Sequence, residues 1–467
     1  MDTLDRVLEP QSIAVVGSKL IDNHMWLRTI QPFQGKKFHV NVDRNEWASA
    51  KELGFDSFPS LLDVPENIDL VIVSVPAQIV PRILKDCAAK KVIGVHLYTA
   101  GFSETGTPDG IKLEKEIERI AIEGNLKIVG PNCMGIFNPK LGIGVNLGRY
   151  YGEYGNLAFI SQSGSQSVAF AQGSAFHDLK VSKLVSMGNG IILDSHDYLK
   201  YLATDDDTKV VGMYLEGIRS GKDFFKQLKE ISKIKPTMIW KVGETDDAER
   251  AVASHSTSKT SNPKIWDDML IQCNAIKIDN MDEMFETAKL LAKLDPPKKS
   301  GYNLGVLALS GGHATEMANV FSKAGFSIPR LNEKSYKKIL TKFNLVGSTY
   351  TNPIEGRTLA SEDHLNNVLD VLNEDSNVDI IVHEIHISNR NDKLSVYRGH
   401  TPEIFCEFKK RAKKPYVVLI STTYPHPSPE DRSQVYKQFT DAGIPAVFGM
   451  ENTANSLKKY VEYYQRK

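Results

Sequence analysis

No stretch of this chain is long and apolar enough to cross a membrane. The most hydrophobic run, 68–77, contains Asp69 and Pro76 and falls far short of the ~20 residues a spanning helix needs. An excess of either charge is also missing: Lys plus Arg and Asp plus Glu number 57 each, so no net field draws the chain to nucleic acid or an anionic membrane. Cysteine is scarce. Cys87, Cys133, Cys273 and Cys406 lie far apart and form no CxxC, which argues against a disulfide framework or a structural zinc site and fits a reducing cytoplasm; no metal site is expected. The opening MDTLDRVLEPQS has neither a basic segment nor an apolar core, so no secretory signal is expected there. GxGxxG is absent too.

What is present is ordinary globular chemistry, 41% hydrophobic and 24% charged. A length of 467 residues suggests three domains at roughly 100–200 residues each. The dominant rhythm is a short β-branched strand, a turn and an amphipathic helix. Strands are expected at 12–16, 38–42, 70–75, 92–98 and 127–129, then at 157–160, 181–186, 210–214 and 237–240, then at 303–309, 379–383 and 416–420. Such alternation implies parallel sheets wound from βαβ units, with ligands beyond the carboxyl ends of the strands. The glycine-rich stretch 141–155 and the Pro296-Pro297 linker divide the chain into units 1–145, 146–295 and 300–467.

The turns after strands carry the candidate chemistry. Gly17, followed by Ser18 and Lys19, lets a phosphate approach the backbone after the first strand. Asp43 stands where a dinucleotide fold places its ribose carboxylate, which keeps an NAD-dependent dehydrogenase as an alternative, although the missing glycines oppose it. Pro76 and the run 100–106 (AGFSETG) follow later strands and line the same edge. Cys133, in GPNCMG, has no basic neighbour in the sequence to lower its thiol pKa and reads as a small buried residue.

In the second unit, Ser161-Gln162-Ser163-Gly164 opens a helix with two hydroxyls, a glycine and free amides. This is either an anion cradle or a plain serine cap. Glu216 ends a strand at the same edge, where it either stays solvated or orients a histidine so that the other ring nitrogen is nucleophilic. His255 lies in the polar stretch 241–262, read as one long loop leaving that edge. Nucleophile, orienting carboxylate and phosphate cradle would then converge, as a phosphoryl relay requires.

Together, IAVVGS, AGFSETG, IVGPNCMGIFNP, GNLAFISQSG, VSMGN, DDDTKVVGMYLEGI, AVASHS, LALSGGHA and NPIE, in this order, resemble the α subunit of nucleoside-diphosphate-forming acyl-CoA synthetases, relatives of succinyl-CoA synthetase. The resemblance spans essentially the whole chain. It implies an α/β protein of three consecutive units: a Rossmann-like CoA-binding domain followed by two flavodoxin-like parallel-sheet domains. It implies coenzyme A as a substrate held near Gly17, Ser18, Lys19, Arg44, Pro76, Asn132 and Cys133. It implies phosphate bound by Ser161, Gln162, Ser163, Gly164, Gly188, Asn189, Gly311 and Gly312, with His255 phosphorylated and Glu216 orienting it. The family's ATP-grasp domains have no counterpart here, so the resemblance implies a hetero-oligomer with an ATP-grasp β subunit carrying ATP or ADP with Mg, acting on a small carboxylic acid or its acyl-CoA.

Departures from the family pattern are clear. Ser254-His255-Ser256-Thr257 replaces SHTG, removing a glycine from a segment expected to swing. Asn41-Val42-Asp43-Arg44 replaces NPK, which leaves Arg44 as the basic candidate. Ile192 stands where Asp is frequent. The SHST departure and the missing nucleotide domains support a second alternative, a CoA-binding regulatory protein of the same fold without turnover.

Overall fold

The computed structural model describes residues 3–144, 153–255, 263–298, 300–341, 348–390, 393–396, 399–421 and 426–467. The chain forms two compact units, one of residues 1–175 with 180–279 and one of 176–179 with 280–467.

The first unit carries two sheets. Strands β1 (Ser12–Val16), β2 (Lys36–Val40), β3 (Asp56–Phe58), β4 (Leu70–Val73), β5 (Gly94–Leu97) and β6 (Lys127–Val129) form a parallel sheet ordered β3-β2-β1-β4-β5-β6. β1, β4 and β5 are buried along their whole length, the pattern of strands covered on both faces. Strand order reverses between β1 and β4, which opens a crevice at their carboxyl ends.

The second sheet contains β7 (Gly135–Phe137), β8 (Leu157–Ser161), β9 (Val181–Ser186), β10 (Val210–Leu215), β11 (Thr237–Lys241) and β12 (Ile276–Ile278), ordered β12-β11-β10-β8-β9-β7. Only β7 runs antiparallel, against β9. The reversal here falls between β8 and β10. β7 lies upstream of the glycine-rich stretch, so the passage to the second sheet comes before residue 145. One continuous core, with Ile13, Trp26, Cys133, Ile136, Met187, Leu215 and Trp266 among its members, runs under both sheets.

The second unit is built on β13 (Leu304–Leu307), β16 (Ile380–Ile385), β19 (Tyr416–Ile420) and β20 (Ala446–Phe448), all parallel and adjacent in that order. Two-stranded ribbons pair β14 (Ser348–Thr349) with β15 (Glu355–Gly356) and β17 (Ser388–Arg390) with β18 (Lys393–Ser395). Parallel bridges Asn303–Ser327 and Leu307–Ile354 extend the sheet beyond β13 on its other side. The chain therefore leaves β13 in one direction and returns to β16 in the other, giving this sheet its own reversal point. Among the described residues no helix is long and apolar enough to cross a membrane.

Candidate active site

The first crevice is built on Gly17. Its φ is +93°, and a Cβ there would lie 2.4 Å from the Ser74 carbonyl oxygen, so only glycine fits where β1 and β4 part. The Ser18 side chain is buried and faces His24, and the Ser18 carbonyl accepts from Asn41 at 3.0 Å. Lys19 and Pro76 are exposed on the turns that follow β1 and β4. Arg44 is exposed after β2 and lies over the Trp47 ring at 5.4 Å. The Asp43 carboxylate accepts from the Asn45 amide at 3.0 Å and caps a short 3-10 turn, a local task rather than a ribose contact. The Cys133 thiol is buried and donates to the Leu97 and Val129 carbonyls; burial pushes its pKa up to about 12. That fits the reading of a small buried residue.

The second crevice gathers more of the expected residues. Helix Gly164–Phe176 starts directly beyond β8. Ser161 Oγ donates to the Ser163 carbonyl (2.8 Å) and accepts from its amide (3.1 Å), which fixes the turn. Gln162 reaches across the reversal point: its Oε1 accepts from the amide of Glu216 and from that of Gly217 at 2.9 Å. The SQSG turn and Glu216 thus form one assembly between β8 and β10, with Glu216 buried.

Gly188 and Asn189, after β9, meet the loop after β6. Asn189 donates its amide N–H to the Pro131 carbonyl (3.0 Å) and accepts from the Asn132 side chain (3.4 Å). A Cβ on Gly188 would lie 2.1 Å from the Pro131 carbonyl oxygen, and φ there is +52°.

Four residues at this edge escaped the sequence reading. Lys241 ends β11 and is buried beneath Trp266; burial lowers its pKa, and the carboxylates of Glu244 and Glu216 oppose that shift. Glu104 accepts from the amides of Gly101 (2.6 Å) and Phe102 (3.1 Å). Asn189 Nδ2 donates to both Glu104 (2.7 Å) and Glu114 (2.8 Å), and Arg219 lies 3.6 Å from Glu114. Glu104 sits within the quoted AGFSETG run. Only the fold reveals its partner Asn189, 85 residues away.

The stretch 241–262 is not one loop. Residues Asp246–His255 form a helix, because Thr245 Oγ1 accepts from the Ala248 amide (3.2 Å) and Asp246, Asp247 and Glu249 suit the positive end of its first turn. This helix approaches the 3-10 turn Ser103–Thr105. His255 is its last residue; the His255 side chain and residues 256–262 lie outside the described residues. Gly311 and Gly312 belong to the second unit, where they open helix Gly311–Lys323 beyond β13 with Ser310 as the cap.

Residues 11–139 match the model of a CoA binding domain, and residues 154–291 that of a succinyl-CoA ligase like flavodoxin domain. The α subunit of acetate–CoA ligase (ADP-forming) II from Pyrococcus furiosus is 31% identical over 383 residues, covering 81% of both chains. Acetate–CoA ligase (ADP-forming) I from Archaeoglobus fulgidus is 33% identical over 382 residues, and this chain spans about half (54%) of its length. The acetyl-coenzyme A synthetase 1 of Candidatus Korarchaeum cryptofilum, solved with phosphate and ADP, superposes with a TM-score of 0.85 at 25% identity, covering 100% of this chain and 98% of that one. With a CoA-binding domain first, a ligase flavodoxin domain second and an α subunit matched over most of its length, the chain belongs to the family of ADP-forming acyl-CoA synthetases.

Proposed function

We propose that this chain is the α-type part of an ADP-forming acyl-CoA synthetase, interconverting acyl-CoA, phosphate and ADP with carboxylic acid, CoA and ATP. In this reading residues 1–145 hold CoA, 146–295 form the ligase domain and 300–467 a third, flavodoxin-like domain. A phosphate oxygen attacks the thioester carbonyl, the C–S bond breaks, and CoA leaves as the thiolate. The acyl phosphate then gives its phosphoryl group to a ring nitrogen of His255, releasing the carboxylate. The phosphohistidine finally passes that group to ADP or GDP, held with Mg by an ATP-grasp module on a partner chain.

The single observation that carries the reading is the Gln162 bridge to Glu216 and Gly217. It joins a helix-opening hydroxyl turn to a buried carboxylate at a strand-order reversal, where α/β sheets bind ligands. Amides at a helix start stabilise charge on a transferring phosphoryl group, and a carboxylate offsets the charge of a phosphorylated imidazole. Lys241 ends β11 opposite Leu215, the residue before Glu216, and so stands at the same edge.

The test uses the full chain with acetyl-CoA and labelled inorganic phosphate. Wild type is expected to acquire acid-labile label at His255, and His255→Ala to lose the label at that peptide. Equal labelling of the variant's corresponding peptide, or CoA binding with no label at His255 even beside an ATP-grasp partner, removes the enzymatic reading and leaves a CoA-binding regulator.

A further inference from the structure

The second unit contains an imidazole–carboxylate pair that the reaction above does not use. His313 lies in the first turn of helix Gly311–Lys323, and its Nδ1 is 2.6 Å from Glu384 Oε1. Glu384 belongs to β16 and is fully buried. Its other oxygen accepts from the Leu309 amide at 2.9 Å. A buried carboxylate held in this way keeps the proton on Nδ1 of the ring. The Nε2 lone pair is then left available on a side chain 27% exposed, the state a nucleophilic histidine requires.

The place matters as much as the pair. β13 and β16 part at the reversal point of this sheet, with the Leu307–Ile354 bridge on one side and β16 on the other. His313 follows β13 and Glu384 lies in β16, so the pair stands in the crevice where such sheets bind ligands. A second carboxylate closes the opposite wall. Glu355, directly after Ile354, is nine-tenths buried, and its Oε1 lies 3.8 Å from where a Cβ on Gly311 would be. A ring that carries a proton on one nitrogen and a phosphoryl group on the other is positively polarised, and flanking carboxylates stabilise it.

We propose that His313 is a second phosphoryl-accepting histidine, positioned by Glu384 and taking its phosphoryl group from an acyl phosphate. The inference rests on the proposed reaction only for the origin of that donor. His313 Nε2 attacks phosphorus, the P–O bond to the acyl group breaks, and the bonding pair leaves with the carboxylate. The Nδ1 proton stays in its hydrogen bond to Glu384, so no further reactant is needed.

The experiment treats the full chain, without any partner, with labelled acetyl phosphate, and locates acid-labile, base-stable label by peptide mass spectrometry at neutral pH. His255→Ala is expected to retain label on the His313 peptide. Adding His313→Asn, which keeps a donor toward Glu384, should remove it, and Glu384→Gln should lower its rate at least tenfold. Unchanged melting of the Asn variant separates loss of a nucleophile from loss of the fold. A wild-type chain labelled at His255 alone overturns the second site and leaves the first intact. Label at His313 alone does the reverse, and absence of label at both overturns this proposal.

Discussion

The two crevices at Gln162–Glu216 and His313–Glu384 are assembled in opposite ways. Both place a helix-opening turn beside a carboxylate at a strand-order reversal. In the first, a glutamine side chain ties turn to strand through backbone amides, and the histidine proposed to serve it ends a separate helix, Asp246–His255, more than 80 residues beyond the turn. In the second, the histidine sits in the first turn of the helix and is already bonded to its glutamate at 2.6 Å. A site that receives its histidine from elsewhere can serve two stations; a site with the histidine built in is fixed.

The sharpest way to break this comparison is Glu216→Gln. If Glu216 orients a delivered histidine, labelling of His255 from acetyl-CoA and phosphate should slow by on the order of 10²–10³, with unchanged melting, as rapid-quench labelling would show. A change smaller than threefold would place Glu216 outside the chemistry.

Next in size is the rigidity of the turns. Gly188→Ala forces a Cβ to 2.1 Å from the Pro131 carbonyl oxygen at positive φ and should cost ~3 kcal/mol or more by urea unfolding. Gly312→Ala meets nothing nearer than Ser310 Oγ at 4.0 Å and should stay within ~0.5 kcal/mol. Equal costs would erase the distinction between a turn wedged against a neighbouring loop and one that is open.

Acid separates the units more gently. Burial lowers the pKa of His96 in the first unit to about 4, and that of His383 in the second to about 3. Each unfolded histidine binds its proton near 6.5, so stability is complete above that pH and is lost as pH falls toward the folded value. His96 alone should contribute on the order of 3 kcal/mol across 6.5 to 4. The loss from His383 should continue about one pH unit lower. Denaturation series between pH 7 and 3 on wild type and His96→Phe would check both slopes.

Much of this was readable beforehand. Short β-branched runs around Ile13, Ile72, Phe159 and Val211 announced their strands, because strands covered on both faces must be apolar at every position. Ser161–Gly164 and Glu216 were identified by standing at strand ends. Their union through Gln162 was not, since nothing in a sequence tells which strands become neighbours. The stretch 246–255 reads as loop because its polar face outweighs its alanines, whereas the acidic first turn is what marks a helix start there. Glu384 was missed for a similar reason: it sits one residue beyond the expected strand end, 71 residues from His313.

The Asn189 amide, shared between Glu104 and Glu114, has a consequence for how this molecule can be taken apart. It fastens a turn of the second sheet to two acids of the first, above a core to which both sheets contribute. The segment that matches a CoA binding domain therefore keeps one core of its own and shares a second with the following sheet. Excised on its own, it would expose the apolar face that it shares with the second sheet, while Glu104 and Glu114 would keep their donors from Gly101, Phe102 and Ser103.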